Sequence, residues 1–132
     1  MSKLDSLRAA LAHSPDNVPL LLVFGEACLE EFVADEARTT FETALRLAPT
    51  NPAATLGLAR ALHLLGRASE AILRTEALVT AHPRHSAAHL WLARWLLDDG
   101  NPAGARAAYQ KALALDGVGD NAAHPPAHRP SP

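Results

Sequence analysis

Apolar residues in this chain fall at helical spacing, in blocks cut by proline and glycine. Leu4, Leu7 and Leu11 mark one stripe at i, i+3 and i+7, which predicts a short helix over residues 3–13. Pro15 ends it, because the residue before a proline avoids the helical region. A second block, about 17–30, opens on Asn17 or Asp16 as cap and tolerates Pro19 in its first turn. A third, near 34–47, puts Ala37, Phe41, Ala44 and Leu45 on one face and stops at Pro49. Helices follow near 52–65 and 68–81, parted by Gly66, and near 86–99 and 102–115, parted by Gly100. Such short connections force antiparallel neighbours, so each pair is a helical hairpin.

The blocks recur at a step of 34 residues. Pro15, Pro49 and Pro83 keep it, as do Ala37, Ala71 and Ala105, Phe24, Leu58 and Leu92, and Gly66 and Gly100. A fixed period of this size with two helices per unit marks a stacked helical repeat, and stacked repeats bind. The first helix matches the second half of a repeat, which makes it a cap on the stack. The period predicts one domain over 1–116, with a capping helix at 3–14 and repeats at about 18–51, 52–85 and 86–117. Residues 117–132, rich in Pro, Ala and His, read as a disordered tail or a linker.

Composition narrows the class. Hydrophobic residues make up 48% and aromatics only 5%, which favours helices packed through small side chains. A formal charge of −2 gives no field for nucleic acid, and no stretch is long and apolar enough to span a membrane. The single cysteine, Cys28, excludes an internal disulfide and a multi-cysteine zinc site. A cytoplasmic protein is the expectation.

The motif residues resemble the tetratricopeptide repeat family. Its leucine-glycine pair appears as Phe24-Gly25, Leu58-Ala59 and Leu92-Ala93, and its second-helix alanine as Ala37, Ala71 and Ala105. Its aromatic is Phe41 and Tyr109 but Thr75 in the middle repeat, and its small residue is Ala44 and Ala112 but Leu78. Pro49 and Pro83 close two repeats, with Gly117 in the third, and the motif's early tryptophan is replaced by Leu21, Thr55 and His89. The resemblance covers about residues 18–117. It implies an all-α, right-handed superhelical stack of three helix-turn-helix hairpins with an N-terminal capping helix.

The resemblance also implies a concave groove lined by first helices. Leu22, Leu56 and Leu90 recur there with Glu26, Arg60 and Arg94 four residues on, and His63 belongs to the same set. The expected groove has an apolar floor and a wall that is acidic at one end and basic at the other. The family's chaperone-tail site needs Lys and Asn at these positions; only Arg94 fits, so that ligand is not expected. The leading function is a non-enzymatic protein-protein interaction scaffold for a protein or peptide ligand. The alternative is a regulatory or substrate-recruiting module of a larger enzyme or ATPase assembly.

No catalytic, cofactor or metal site is expected. His85 and His89 have i, i+4 spacing, but His85 precedes its helix and no further ligand follows. Cys28 reads as a small core hydrophobe. Trp91 and Trp95 allow two readings. They fill the end of the core, or, with Leu92 and Leu113, they form an uncapped edge that pairs two copies in a homodimer through the C-terminal repeat.

Overall fold

Each first helix begins where a side chain takes over an orphan backbone N–H. The computed structural model describes residues 2–120, with side chains through residue 116. Its helices are α1 (Lys3–His13), α2 (Val18–Glu30), α3 (Ala34–Leu47), α4 (Pro52–Leu64), α5 (Ala68–Ala81), α6 (Ser86–Asp98) and α7 (Pro102–Asp120). Ser2 caps α1 in a reciprocal box with Asp5. Asn17 and Asn51 accept the N–H of Leu20 and Ala54, each at 3.1 Å. His85 stands one period further on and does the same through Nδ1, 3.2 Å from the Ala88 nitrogen.

The second helices end differently. The backbone of α3 and α5 stops before Pro49 and Pro83, whereas α7 runs to Asp120, past the end at 115 and the tail start at 117 that the sequence suggests. Gly117 stands where the proline would be. It weakens a helix by about 1 kcal/mol but keeps its N–H and adds no clash. The rest of the expected tail, 121–132, lies outside the described residues.

The described residues form two units, divided between Leu78 and Val79. In the first, α2 packs on α3, α3 on α4, and α1 on α2. Leu21, Ala44 and Ala54 make a buried cluster against which Leu11, Leu22, Leu45 and Leu47 pack, so one patch of core joins α1, α2, α3 and α4. The capping helix buries no residue fully and is tied down by charge as well. Arg8 donates to both carboxylate oxygens of Glu36 on α3, at 2.9 and 2.7 Å, and lies 5.8 Å from the Phe24 ring centre. The hydrogen bond from Arg8 holds the Glu36 carboxyl below its ordinary range and raises the guanidinium's own pKa. In the second unit, α6 packs on α7.

All three hairpin turns share one closure. Val33, Arg67 and Asn101 donate their N–H to the carbonyls of Cys28, Leu62 and Leu96 at 2.8–2.9 Å. The residue before each has a positive φ: 84° at Gly66, 82° at Gly100, and 59° at Phe32. Phe32 is 76% exposed, so its ring gains little from burial while its Cβ strains the left-handed backbone. Glycine would remove about 1–2 kcal/mol of strain and cost about 0.5–1 kcal/mol in chain entropy. Phe32→Gly should therefore raise the unfolding free energy by roughly 0.5–1 kcal/mol in urea denaturation. A lowered midpoint would mean that the ring does more in the folded state than its exposure indicates.

Candidate functional site

The leucines that recur on the first helices differ in exposure. In the first unit Leu22 is half-buried against the Leu21 cluster and Leu56 is 6% exposed. Leu56 is core, not the open floor that its position suggests. Glu26 and Arg60, on α2 and α4, do not stand as separate acidic and basic surfaces. The Arg60 Nη1 donates to both oxygens of Glu26, at 2.8 and 3.1 Å. These two charges, at one register in successive repeats, meet, and their opposite signs cancel. His63 lies beyond them on α4, half-buried.

In the second unit the face opens. Leu90 is 39% exposed and Leu97, two turns on along α6, 60%. Tyr109 on α7, the motif aromatic of the third repeat, is 49% exposed rather than buried. Leu90, Trp91, Ala93, Arg94 and Leu97 from α6 face Pro102, Ala105, Arg106 and Tyr109 from α7 across a cleft of about 750 Å³. The Arg94 guanidinium sits 5.2 Å from the Trp91 ring centre, within cation–π range.

The tryptophans divide between the two readings. Trp95 is 2% exposed and Leu92 6%, so both belong to the core and not to an open edge, while Trp91 is half-buried on the cleft and Leu113 is exposed. Their rings lie 5.5 Å apart and tilted by 40°, a packed aromatic pair that holds Trp91 in place. Tyr109, Leu97 and Arg106 are cleft-lining residues that the first-helix pattern overlooks. For Tyr109 a signal was available, since it holds the register of Phe41 two periods on.

His85 and His89 each give a ring nitrogen to the backbone, His85 as a cap and His89 by donating from Nε2 to the Pro83 carbonyl at 2.8 Å. Among the described residues no group of three or more His, Cys, Asp or Glu could hold a metal ion, and no helix is long and apolar enough to cross a membrane.

Helical hairpins at a 34-residue step define a tetratricopeptide-type repeat protein. Two tetratricopeptide repeat models match, over residues 30–94 and 70–120, and the chain belongs to that family. Among solved structures it is similar to MamA MSR-1, at 25% identity and a TM-score of 0.71 over 88% of this chain and 67% of that one. MamA AMB-1 gives 27% and 0.71 over 87% and 68%. A further MamA structure, at 20% identity and a TM-score of 0.72 over 85% and 66%, supports the fold alone. The chain thus spans about two thirds of the length of these proteins. No curated protein matches it. Family and fold support a protein-interaction scaffold.

Proposed function

We propose that the chain is a non-enzymatic scaffold that binds a peptide or helix of a partner protein on the faces of its first helices. Leu22, Glu26, Arg60 and His63 offer such a face in the first unit, and Leu90 and Arg94 in the second. The observation that carries the reading is the open cleft along α6. Exposed Leu90, Leu97 and Tyr109 lie together beside an arginine, and contiguous apolar surface with a polar rim marks an interaction site. The groups with perturbed protonation argue against chemistry. Arg8 and Glu36 pair with each other, and burial pushes the Cys28 thiol up to about 11 at a site with no exposure.

Selection of helical peptides from a display library against the full chain tests this reading. Binders should lose at least about tenfold in affinity to Leu90→Ser/Arg94→Glu, with an unchanged melting temperature, because exposed substitutions move stability by about 0.5 kcal/mol or less. Arg60→Glu is a poor companion variant, since it sets two carboxylates against each other. The swap Glu26→Arg/Arg60→Glu keeps the pair and reverses its direction. Binders indifferent to both double variants would place the binding surface elsewhere.

A further inference from the structure

The first unit shows how this protein covers the face that its second unit leaves open. Phe41 on α3 is 1% exposed, and the first helix of the next repeat seals it: a Cβ at Gly57 of α4 would run into its ring. Three residues before Gly57, Ala54 packs with Leu21 and Ala44 and has no exposure. Three residues after it, Arg60 pairs with Glu26 on α2 at 2.8 Å. The covering helix therefore presents a small residue, a second small residue three on, and a charge three further on that meets its opposite. The small residues allow close approach and the charge fixes the register.

Two periods on, Tyr109 stands for Phe41 and Ala112 for Ala44. Arg94 stands for Glu26, so the sign of the charge is inverted. No described helix covers this face. Arg94 has no ion pair among the described residues although Asp98 follows it by four, and Arg106 across the cleft has none either. In the sequence, Pro125 and His128 stand two periods after Gly57 and Arg60, so the small residue and the arginine are not repeated at those positions.

We infer that this face takes an amphipathic helix of a partner protein, in the place that a further first helix would fill. That helix carries two small residues three apart and an acidic residue three beyond the second. Ala112 is itself buried, so the contacts fall on the exposed Tyr109, where the second small residue lies, and on Arg94, with which the carboxylate pairs. The inference rests on the proposed scaffold function and adds the register and sign of the ligand. It follows the helix-in-groove mode of recognition, with the anchor inverted: the aromatic is on the receptor and the small residue on the ligand.

Three stapled helical peptides test it against the full chain. One carries Ala-x-x-Gly-x-x-Glu, the second has Lys for the Glu, and the third has Leu for the Gly. Binding is read by calorimetry and by the emission of Trp91 and Trp95. The Glu peptide should bind, with the Lys and Leu peptides each at least tenfold weaker. Arg94→Glu should reverse the preference between Glu and Lys, and Arg94→Gln should abolish it without reversal. Equal binding of the Glu and Lys peptides, no binding of the Glu peptide, or an Arg94→Glu variant with unchanged preference would overturn the inference. So would a dimer in light scattering that Leu97→Asp/Tyr109→Ser dissociates, since a second copy would then be the occupant. If library-selected binders depend on Leu90 and Arg94 while the Glu peptide fails, the scaffold reading stands and only the stated register and charge are wrong.

Discussion

Phe41→Ala should lower the unfolding free energy by about 3–5 kcal/mol, the range for emptying a buried aromatic site. The ring is 1% exposed and lies between two glycines, Gly25 on α2 and Gly57 on α4. A Cβ on Gly25 would come 2.5 Å from the Phe41 Cζ, so the ring already fills the space that those glycines leave. Removing it empties a site with a glycine on each of two walls, and neither glycine has a side chain to move in, which puts the cost toward the unrelaxed end. Against a total of about 5–15 kcal/mol, a loss of this size leaves the first unit marginal. Cys28 provides the readout, since its thiol has no exposure in the folded protein and reacts only when the first unit opens. Gly57→Ala should cost about 1–3 kcal/mol by overpacking against the same ring. Phe41→Leu/Gly57→Ala should cost less than the sum of its parts, because one change makes room for the other. Tyr109→Ala, at the same register but 49% exposed, is the internal control and should cost much less. A loss below about 1.5 kcal/mol for Phe41→Ala would mean that α2 and α4 close over the gap.

The period was legible because each repeat is punctuated where the backbone needs it. Pro49 and Pro83 stop second helices, and Gly66 and Gly100 take the left-handed turn. Where a punctuating residue is missing, the sequence says less. Gly117 in place of proline lets α7 continue, and Phe32 adopts the left-handed turn without a glycine. For the candidate face, the sequence gives register but not environment. Leu22, Leu56 and Leu90 are one residue type at one register, yet they are half-buried, buried and exposed, because exposure depends on which helices lie alongside. The Glu26–Arg60 pair was within reach of the sequence, since equal registers in successive repeats are neighbours and these two have opposite signs. The same rule identifies His85 as a cap, because it follows Asn17 and Asn51 in register.

Ala71→Leu should cost about 1–3 kcal/mol, the usual range for forcing extra methylenes into a filled site. Ala71 on α5 has no exposure, and neither does Thr75 one turn on, whose hydroxyl donates to the Ala71 carbonyl at 2.8 Å. A leucine at 71 brings three more carbons into a position with no free surface. α5 must then move, or the side chain must leave its preferred rotamer, and a movement of α5 also disturbs the buried Thr75 hydroxyl. Losing that bond would leave a buried donor unsatisfied, which pushes the cost toward the upper end. Ala105, one period on, separates two explanations. It lines the open cleft and retains 7% exposure, so a leucine there has space ahead of it. If crowding sets the cost, Ala105→Leu should lose much less than Ala71→Leu in parallel urea melts. It should also weaken any helix that docks in the cleft, because the new side chain occupies part of it. If both substitutions cost the same, the alanine is required by the hairpin itself rather than by a sealed site. An Ala71→Leu variant within about 0.5 kcal/mol of wild type would show that α5 has room that its zero exposure conceals.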